Sequence, residues 1–332
     1  LGTVKTLVSQ SGSDYWQNTS NAAWTPSPCG VEFAHHGDDL AMGFRAAYTE
    51  VSFWVWVDEG GGYRPVTAAP VAYTSNIAPG SLSWLRLLFG SVAARKIRVY
   101  RFLADFGGLD IKPTHQIVPV AASEQTLFIL GDSFIEGWKA APEVGGMAIR
   151  LGLMLGMESY LAGQGGTGYI ANGGGGSKPA FTDTARLAPI GDILPDYVLV
   201  FGSSNDDSQS GIQAAAESVY DDIATLSPTT RVIVVGPQCM GTPVPSARTT
   251  AKTAVQAAAD AAPNVIGFIN PLSDVEGLCW VTGTGTDAAP AADGSGDVFH
   301  AGGDGVNHPN AAGHAYFAQR IDAEMIGIIQ SA

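Results

Sequence analysis

The sequence predicts an α/β chain in two domains, an antiparallel β-sandwich of jelly-roll type over residues 1–120 and a three-layer domain with a parallel sheet over residues 121–332. Three observations carry this. At 332 residues the chain is long for one core, so two are expected. Up to about residue 120 the apolar residues follow strand periods and no convincing long helix appears. Beyond that point, apolar runs alternate with helix-like stretches over the rest of the chain.

In the first domain, VSFWVWVD (51–58) sets Val51, Phe53, Val55 and Val57 on one face and Ser52, Trp54, Trp56 and Asp58 on the other. LSWLRLLF (82–89) and KIRVYRFL (96–103) are similar runs, and DEGGGYRP and TSNIAPGS supply turn residues between runs. The Pro-containing stretch PTHQIVPVAASEQ (113–125) is the connector. After it, TLFIL (126–130), DYVLVFG (196–202), RVIVVGP (231–237) and NVIGFIN (264–270) read as buried parallel strands. MAIRLGLMLG, GIQAAAESVYDDIATL and SARTTAKTAVQAAADAA read as the helices between them, and HPNAAGHAYFAQRIDAEMIGII as a long closing helix.

Composition excludes several classes. With 17 Lys+Arg against 31 Asp+Glu, a net charge of −14 repels nucleic acid and anionic lipid surfaces. No stretch reaches the roughly 20 apolar residues of a membrane helix, and LGTVKTLVSQSG has no hydrophobic signal core, so a water-soluble protein, mature or trimmed, is expected. Few charges, many Gly and Ala and an acidic balance point to an extracellular, secreted or virion-borne setting. Cys29, Cys239 and Cys279 lack metal-ligand spacing. A Cys239–Cys279 disulfide and three buried thiols are both open.

In a doubly wound sheet, ligands gather at the carboxyl ends of the strands. There the sequence places Gly131-Asp132-Ser133, then Gly202-Ser203-Ser204-Asn205-Asp206, then Pro237-Gln238-Cys239, with GGDGVNHPNAAGH ahead of the last helix. Each alone reads as a turn or helix cap. Together they hold what acyl transfer needs: a hydroxyl nucleophile, an imidazole, a carboxylate and oxyanion donors.

With GDSFIEG, the glycine-rich AGQGGTGY, SSND after VLVF and DGVNHPN in this order, residues 123–332 resemble the SGNH hydrolases, the GDSL esterase/lipase family. The resemblance implies Ser133 as nucleophile and backbone oxyanion donor, Asn205 as side-chain donor, His308 as general base and Asp304 as the carboxylate that holds it. It implies a second backbone donor at Gly165, with Gly163 and Gly166 as neighbouring alternatives, and no cofactor or metal. Two spacings depart from the family pattern, Gly202 lying three residues before Asn205 and Asp304 four before His308. An α/β-hydrolase elbow would need glycine at 135, where Ile stands. A metal on His300, Asp304 and His308 is disfavoured by Gly302, Gly303 and Gly305, which keep the spacing of four off a helix. GGGGS (173–177) lacks the Lys-Ser/Thr of a phosphate loop.

Relatives with an appended sandwich often deacetylate polysaccharides, so the resemblance implies a serine esterase acting on carbohydrate O-acetyl groups, with a small ester or acetylated polysaccharide as substrate. A short-chain lipase, an arylesterase or an acyltransferase would use the same residues. A carbohydrate-binding or virion attachment protein on an inactive hydrolase scaffold is the reading from another class. Trp54, Trp56, Trp84 and Tyr63 are expected in core packing, with a sugar platform as the rival role. His35 and His36 are placed in a turn, His115 in the connector and His314 in the last helix.

Overall fold

The computed structural model describes residues 7–10, 13–16, 29–46, 51–73, 82–102, 104–120, 125–140, 142–173, 176, 178–202, 204–207, 209–239, 244–273, 280 and 308–332. The chain divides into two compact units, Leu1–Ala122 and Ser123–Ala332.

The first unit is antiparallel: β1 (Leu7–Gln10), β2 (Ser13–Trp16), β3 (Cys29–Ala46), β4 (Val51–Asp58), β5 (Arg64–Pro65), β6 (Val71–Tyr73), β7 (Leu82–Phe102), β8 (Ala104–Asp110) and β9 (Gln116–Val118). All nine belong to one hydrogen-bonded sheet with the main order β1-β2-β8-β3-β7-β4-β5. A sandwich arises because its two longest strands bend. Gly37 pairs with Ala93 and Asp39 with Leu88, so residues 89–92 of β7 stand opposite Asp38 alone. This irregularity turns both strands. One half of β7 then pairs with β4 at Ser52–Asp58, while β8 joins the other half of β3 at Ala41–Ala46. The halves face each other: the ring centroids of Phe44 and Phe53 lie 4.2 Å apart, and Leu40, Met42, Val51, Val55, Ile97, Val99 and Phe106 are buried around them.

The two runs read as separate strands at 82–89 and 96–103 are therefore the two arms of β7. His35 and His36 lie within β3 and not in a turn, because that strand continues through the expected turn to the bend beyond it. Trp54 is buried and stands edge-on to Trp56 at 4.8 Å. The Tyr63 hydroxyl donates to Glu32 and its ring lies beneath Arg98, whereas Trp84 is half exposed.

The second unit carries a parallel sheet of β10 (Thr126–Gly131), β11 (Glu158–Gly163), β12 (Tyr197–Phe201), β13 (Arg231–Val235) and β14 (Val265–Ile269), in the order β11-β10-β12-β13-β14. Central strands covered on both faces need continuous apolar runs, and every residue of β12 is buried. The helices are α1 (Ser133–Glu136), α2 (Met147–Leu155), α3 (Thr184–Ile193), α4 (Ile212–Leu226), α5 (Ser246–Ala261) and α6 (Ala311–Ser331). Leu127, Ile129, Leu199, Phe201, Ile233 and Val235 pack against Met147, Leu151, Phe317, Ile321 and Met325 of α2 and α6. Alternation sends the buried Val198, Val200, Val232 and Val234 to the opposite face. Strand β11 and helix α3 are additions to the sequence reading.

Register sets where the strands release their polar ends. At the entrance, the Thr126 amide and hydroxyl donate to Asp196 Oδ2 at 2.8 and 2.9 Å, and the Asp196 amide donates back to Thr126 Oγ1 at 3.0 Å. With Leu127 opposite Tyr197, Gly131 falls opposite Phe201 on one side and Gly163 on the other. Asp132, Gln164 and Gly202 therefore leave the sheet at one level.

Candidate active site

Ser133 owes its position to the turn out of β10. A Cβ at Gly131 would stand 2.3 Å from Ile135 Cγ1, so only glycine lets the chain double back so closely. Asp132 then caps α1, accepting from the Phe134 amide at 2.9 Å. Ser133 is the first residue of that helix, and its Oγ lies 2.8 Å from His308 Nε2, a meeting of residues 175 apart in sequence. With the ring proton on Nδ1, the hydroxyl donates to Nε2, the arrangement that activates a serine. His308 stands just before α6, whose first turn is capped by Asn310 accepting from Ala312 and Gly313 at 3.1 Å. The Phe134 ring lies 5.6 Å from the imidazole and 5.7 Å from Phe317, so core aromatics back His308.

The loop after β11 supplies the opposite wall. A Cβ at Gly163 would lie 2.3 Å from the Glu136 nitrogen, so this glycine admits the backbone of α1. The Gly165 amide donates to Glu136 Oε2 at 2.7 Å, and Lys178 Nζ donates to the Gly165 carbonyl at 2.9 Å. Gly166 has a φ of 80°, the left-handed region that favours glycine. Asn205 follows β12 on a short 3-10 turn, Ser204–Asp206. Its Nδ2 donates to the Thr167 carbonyl at 2.8 Å and lies 3.5 Å from Asp132 Oδ2. The amide therefore bridges the glycine loop to the residue beside Ser133.

The model of the GDSL-like Lipase/Acylhydrolase family matches residues 129–316, more than half of the chain. The chain belongs to this family. It is a carboxylic ester hydrolase of the GDSL (SGNH) type. Searched by sequence, the curated proteins give no match. Among solved structures, a family two carbohydrate esterase from Clostridium thermocellum, in complex with cellohexaose, is similar at a TM-score of 0.65 and 15% identity over 92% of this chain and 94% of that one. A carbohydrate esterase family 2 enzyme plus carbohydrate binding domain from Corynascus thermopiles (Myceliophthora fergusii) gives 0.64 and 18%, over 93% and 97%. An acetyl xylan esterase from the rumen bacterium Butyrivibrio proteoclasticus gives 0.56 and 14%, over 91% and 90%. At these identities the likeness is one of fold, and it spans both units.

Three residues to which the sequence reading gave no role hold this GDSL-like site together. Arg186, on α3 and fully buried, donates to the carbonyls of Gly131 at 2.9 Å and Ala162 at 2.7 Å, and to Gln164 Oε1 at 2.9 Å. It ties the ends of β10 and β11 to the glycine loop, and burial lowers its pKa to about 10. Asp206 accepts from the amides of Tyr169, Ile170 and Ala171 at 2.8, 3.1 and 2.8 Å, fixing the far side of that loop. Glu136 is the third, and burial raises its pKa. A lone arginine in an otherwise apolar stretch and an acid inside FIEG were the available signals.

Asp132 is buried, and desolvation raises its pKa to about 6, opposed by the hydrogen bonds from Phe134 and Gln238. His314 is locked in the core, its Nε2 2.9 Å from the Trp138 carbonyl and its Nδ1 accepting from Met147 at 3.3 Å. Burial lowers its pKa to about 4, which keeps it neutral near His308. Asp304, His300 and Cys279 lie outside the described residues. Among the described residues, no cluster of three metal-ligating side chains occurs and no helix is long and apolar enough to cross a membrane.

Proposed function

We propose that this hydrolase removes acetyl groups from carbohydrate through an acyl-enzyme on Ser133, with residues 121–332 as its catalytic part and residues 1–120 as an accessory domain. The single observation that carries the chemistry is the 2.8 Å approach of Ser133 Oγ to His308 Nε2 at the end of a parallel sheet. His308 takes the hydroxyl proton as Oγ attacks the acetyl carbonyl, and Asp304 is assigned to hold the ring. The oxyanion is received by the Ser133 amide, by the second Asn205 Nδ2 proton, which exchanges its long 3.5 Å contact with Asp132 for the oxyanion while the first stays on Thr167, and by an amide of the Gly165–Gly166 turn. His308 returns the proton to the leaving sugar oxygen, and a water repeats the sequence to release acetate.

The substrate class is supported by likeness. The structures similar over both units include carbohydrate esterases, one with cellohexaose and one an acetyl xylan esterase. A net charge of −14 also disfavours anionic surfaces and fits a neutral polysaccharide.

The test is hydrolysis of p-nitrophenyl esters from acetate to palmitate, together with acetate release from an acetylated polysaccharide, by wild type and Ser133→Ala. Turnover of acetate that falls steeply with chain length and vanishes in the variant is expected. Equal turnover by Ser133→Ala would remove the nucleophile. Polysaccharide binding without ester cleavage would favour the inactive-scaffold reading.

A further inference from the structure

Glu136 lies one helical turn from the nucleophile and has no part in the chemistry above. It is 7% exposed, and its carboxylate reaches across to the glycine loop, 29 residues on, to accept the Gly165 amide at 2.7 Å. That amide is the donor the family resemblance implies for the oxyanion, with Gly163 and Gly166 as alternatives, and here it is already engaged. The next peptide is held as well, since Lys178 donates to the Gly165 carbonyl at 2.9 Å. A trans peptide is planar, and its N–H points opposite to its C=O. Fixing the Gly165 carbonyl therefore fixes the direction of the Gly166 N–H. Gly166 is partly exposed in the left-handed region at φ 80°, and no acceptor among the described residues takes its amide. The turn also lies beside the nucleophile, because a Cβ on Gly165 would stand 3.4 Å from Ser133 Cβ.

We propose that Glu136, with Lys178, is a positioning residue of the oxyanion hole: the two clamp Gly165 from both sides so that the Gly166 amide, rather than that of Gly165, is presented to the oxyanion on Ser133. The proposal rests on the reading of Ser133 as an esterase nucleophile. A carboxylate this near a developing anion would by itself oppose it, and the cations of Lys178 and Arg186, which both act on Glu136, offset that repulsion. The clamp costs little motion at reaction time, because Glu136 rides on the four-residue helix that carries Ser133.

The experiment measures kcat and KM on p-nitrophenyl acetate for wild type, Glu136→Ala, Glu136→Gln, Lys178→Met and the Glu136→Ala/Lys178→Met double variant, with Ser133→Ala alongside. Loss of the clamp should lower kcat by roughly 10- to 100-fold in Glu136→Ala with KM little changed, since the donor is disoriented rather than deleted. Glu136→Gln keeps an acceptor oxygen and should recover most of that loss, which a general stability defect would not allow. Lys178→Met should fall in the same direction, and the double variant should be no worse than about the poorer single one. Wild-type activity in Glu136→Ala would mean that the carboxylate only occupies the amide, and Glu136→Gln as poor as Glu136→Ala would mean that charge matters rather than the clamp. Either result overturns the proposal. If Glu136→Ala fails to fold, Glu136→Gln and Lys178→Met decide, since an inactive glutamine variant or a fully active methionine variant each overturns it. Activity that survives in Ser133→Ala would instead sink the esterase reading itself.

Discussion

Two polar clusters in this chain use the same residue types to different ends. In the first unit, Asp38 pairs with Lys112 at 2.6 Å and with His115 Nε2 at 3.2 Å, Asp39 is chelated by Arg86, and Glu59 meets Arg95 at 2.6 Å. Each of these three acids is answered by a cation. At the strand ends of the second unit, Asp132 and Asp206 accept from amide nitrogens, and Arg186 donates to carbonyls and neutral side chains. The charges organise backbone instead of cancelling each other. Among them a hydroxyl and an imidazole face each other at 2.8 Å. A cluster of His, Asp and Arg is thus no sign of chemistry until one asks what each charge is bonded to.

The contrast is broken most directly by removing the reacting pair. Ser133→Ala or His308→Ala should lower kcat on p-nitrophenyl acetate by at least about 10⁴-fold, leaving far-UV circular dichroism unchanged. Arg186→Met should come next, in stability. It removes the arginine's bonds to the Ala162 carbonyl, to Gln164 Oε1 and to the Gly131 carbonyl, which keeps only the Gln164 amide at 3.0 Å, a loss on the order of 3 kcal/mol in urea denaturation. A variant as stable as wild type would show the brace to be redundant. Asn205→Ala deletes a proposed oxyanion donor at an exposed position and should cost about 3 kcal/mol in kcat with little change in melting temperature. Loss of folding without a specific loss of kcat would make Asn205 a structural bridge to Thr167 and nothing more.

Legibility followed the same division. Strands β10, β12 and β13 are continuous apolar runs because they are central and buried, and the edge strand β14 was legible because Val265, Ile266, Phe268 and Ile269 keep it apolar though mostly half buried. Strand β11 was missed because Glu158, Ser159 and Tyr160 leave it half buried at the sheet edge, and α3 because Pro189 interrupts its pattern. The arms of β7 read as two strands because the bend opposite Asp38 resets their alternation. At the site, Ser133, Asn205 and His308 were singled out by the ordered motifs that resemble the SGNH hydrolases, and the structure brings Ser133 and His308 together at the end of the sheet. Arg186, Asp206 and Glu136 were not. Their partners are backbone atoms of a loop distant in sequence, and no composition or spacing encodes which carbonyl or amide a side chain will reach.

The buried acid beside the nucleophile sharpens the comparison through pH. The Asp132 pKa is raised to about 6, so its contribution to stability is present below the unfolded value near 3.8 and is lost as pH rises through 6. For His314, lowered to about 4, stability is present above 6.5 and is lost as pH falls through 4. The two oppose each other across one window, each worth about 3 kcal/mol on the standard conversion. Asp132→Asn keeps a capping oxygen and removes one of them. It should be more stable than wild type at pH 7, converge with it near pH 4, and expose the acid lability that His314 contributes, as read from melting temperatures between those limits. A variant whose difference from wild type does not change with pH would mean that Asp132 is not the titrating group.

The smallest effect is expected where charge is already answered by charge. Lys112 is half exposed, its partner Asp38 keeps His115 at 3.2 Å when the lysine is gone, and screened surface pairs contribute little. Lys112→Ala should leave both the melting temperature and ester turnover unresolved from wild type. A clear fall in kcat would be the more informative result, because a locally neutralised cluster would then be coupled to the reaction, and the rule that separates it from the strand-end site would fail.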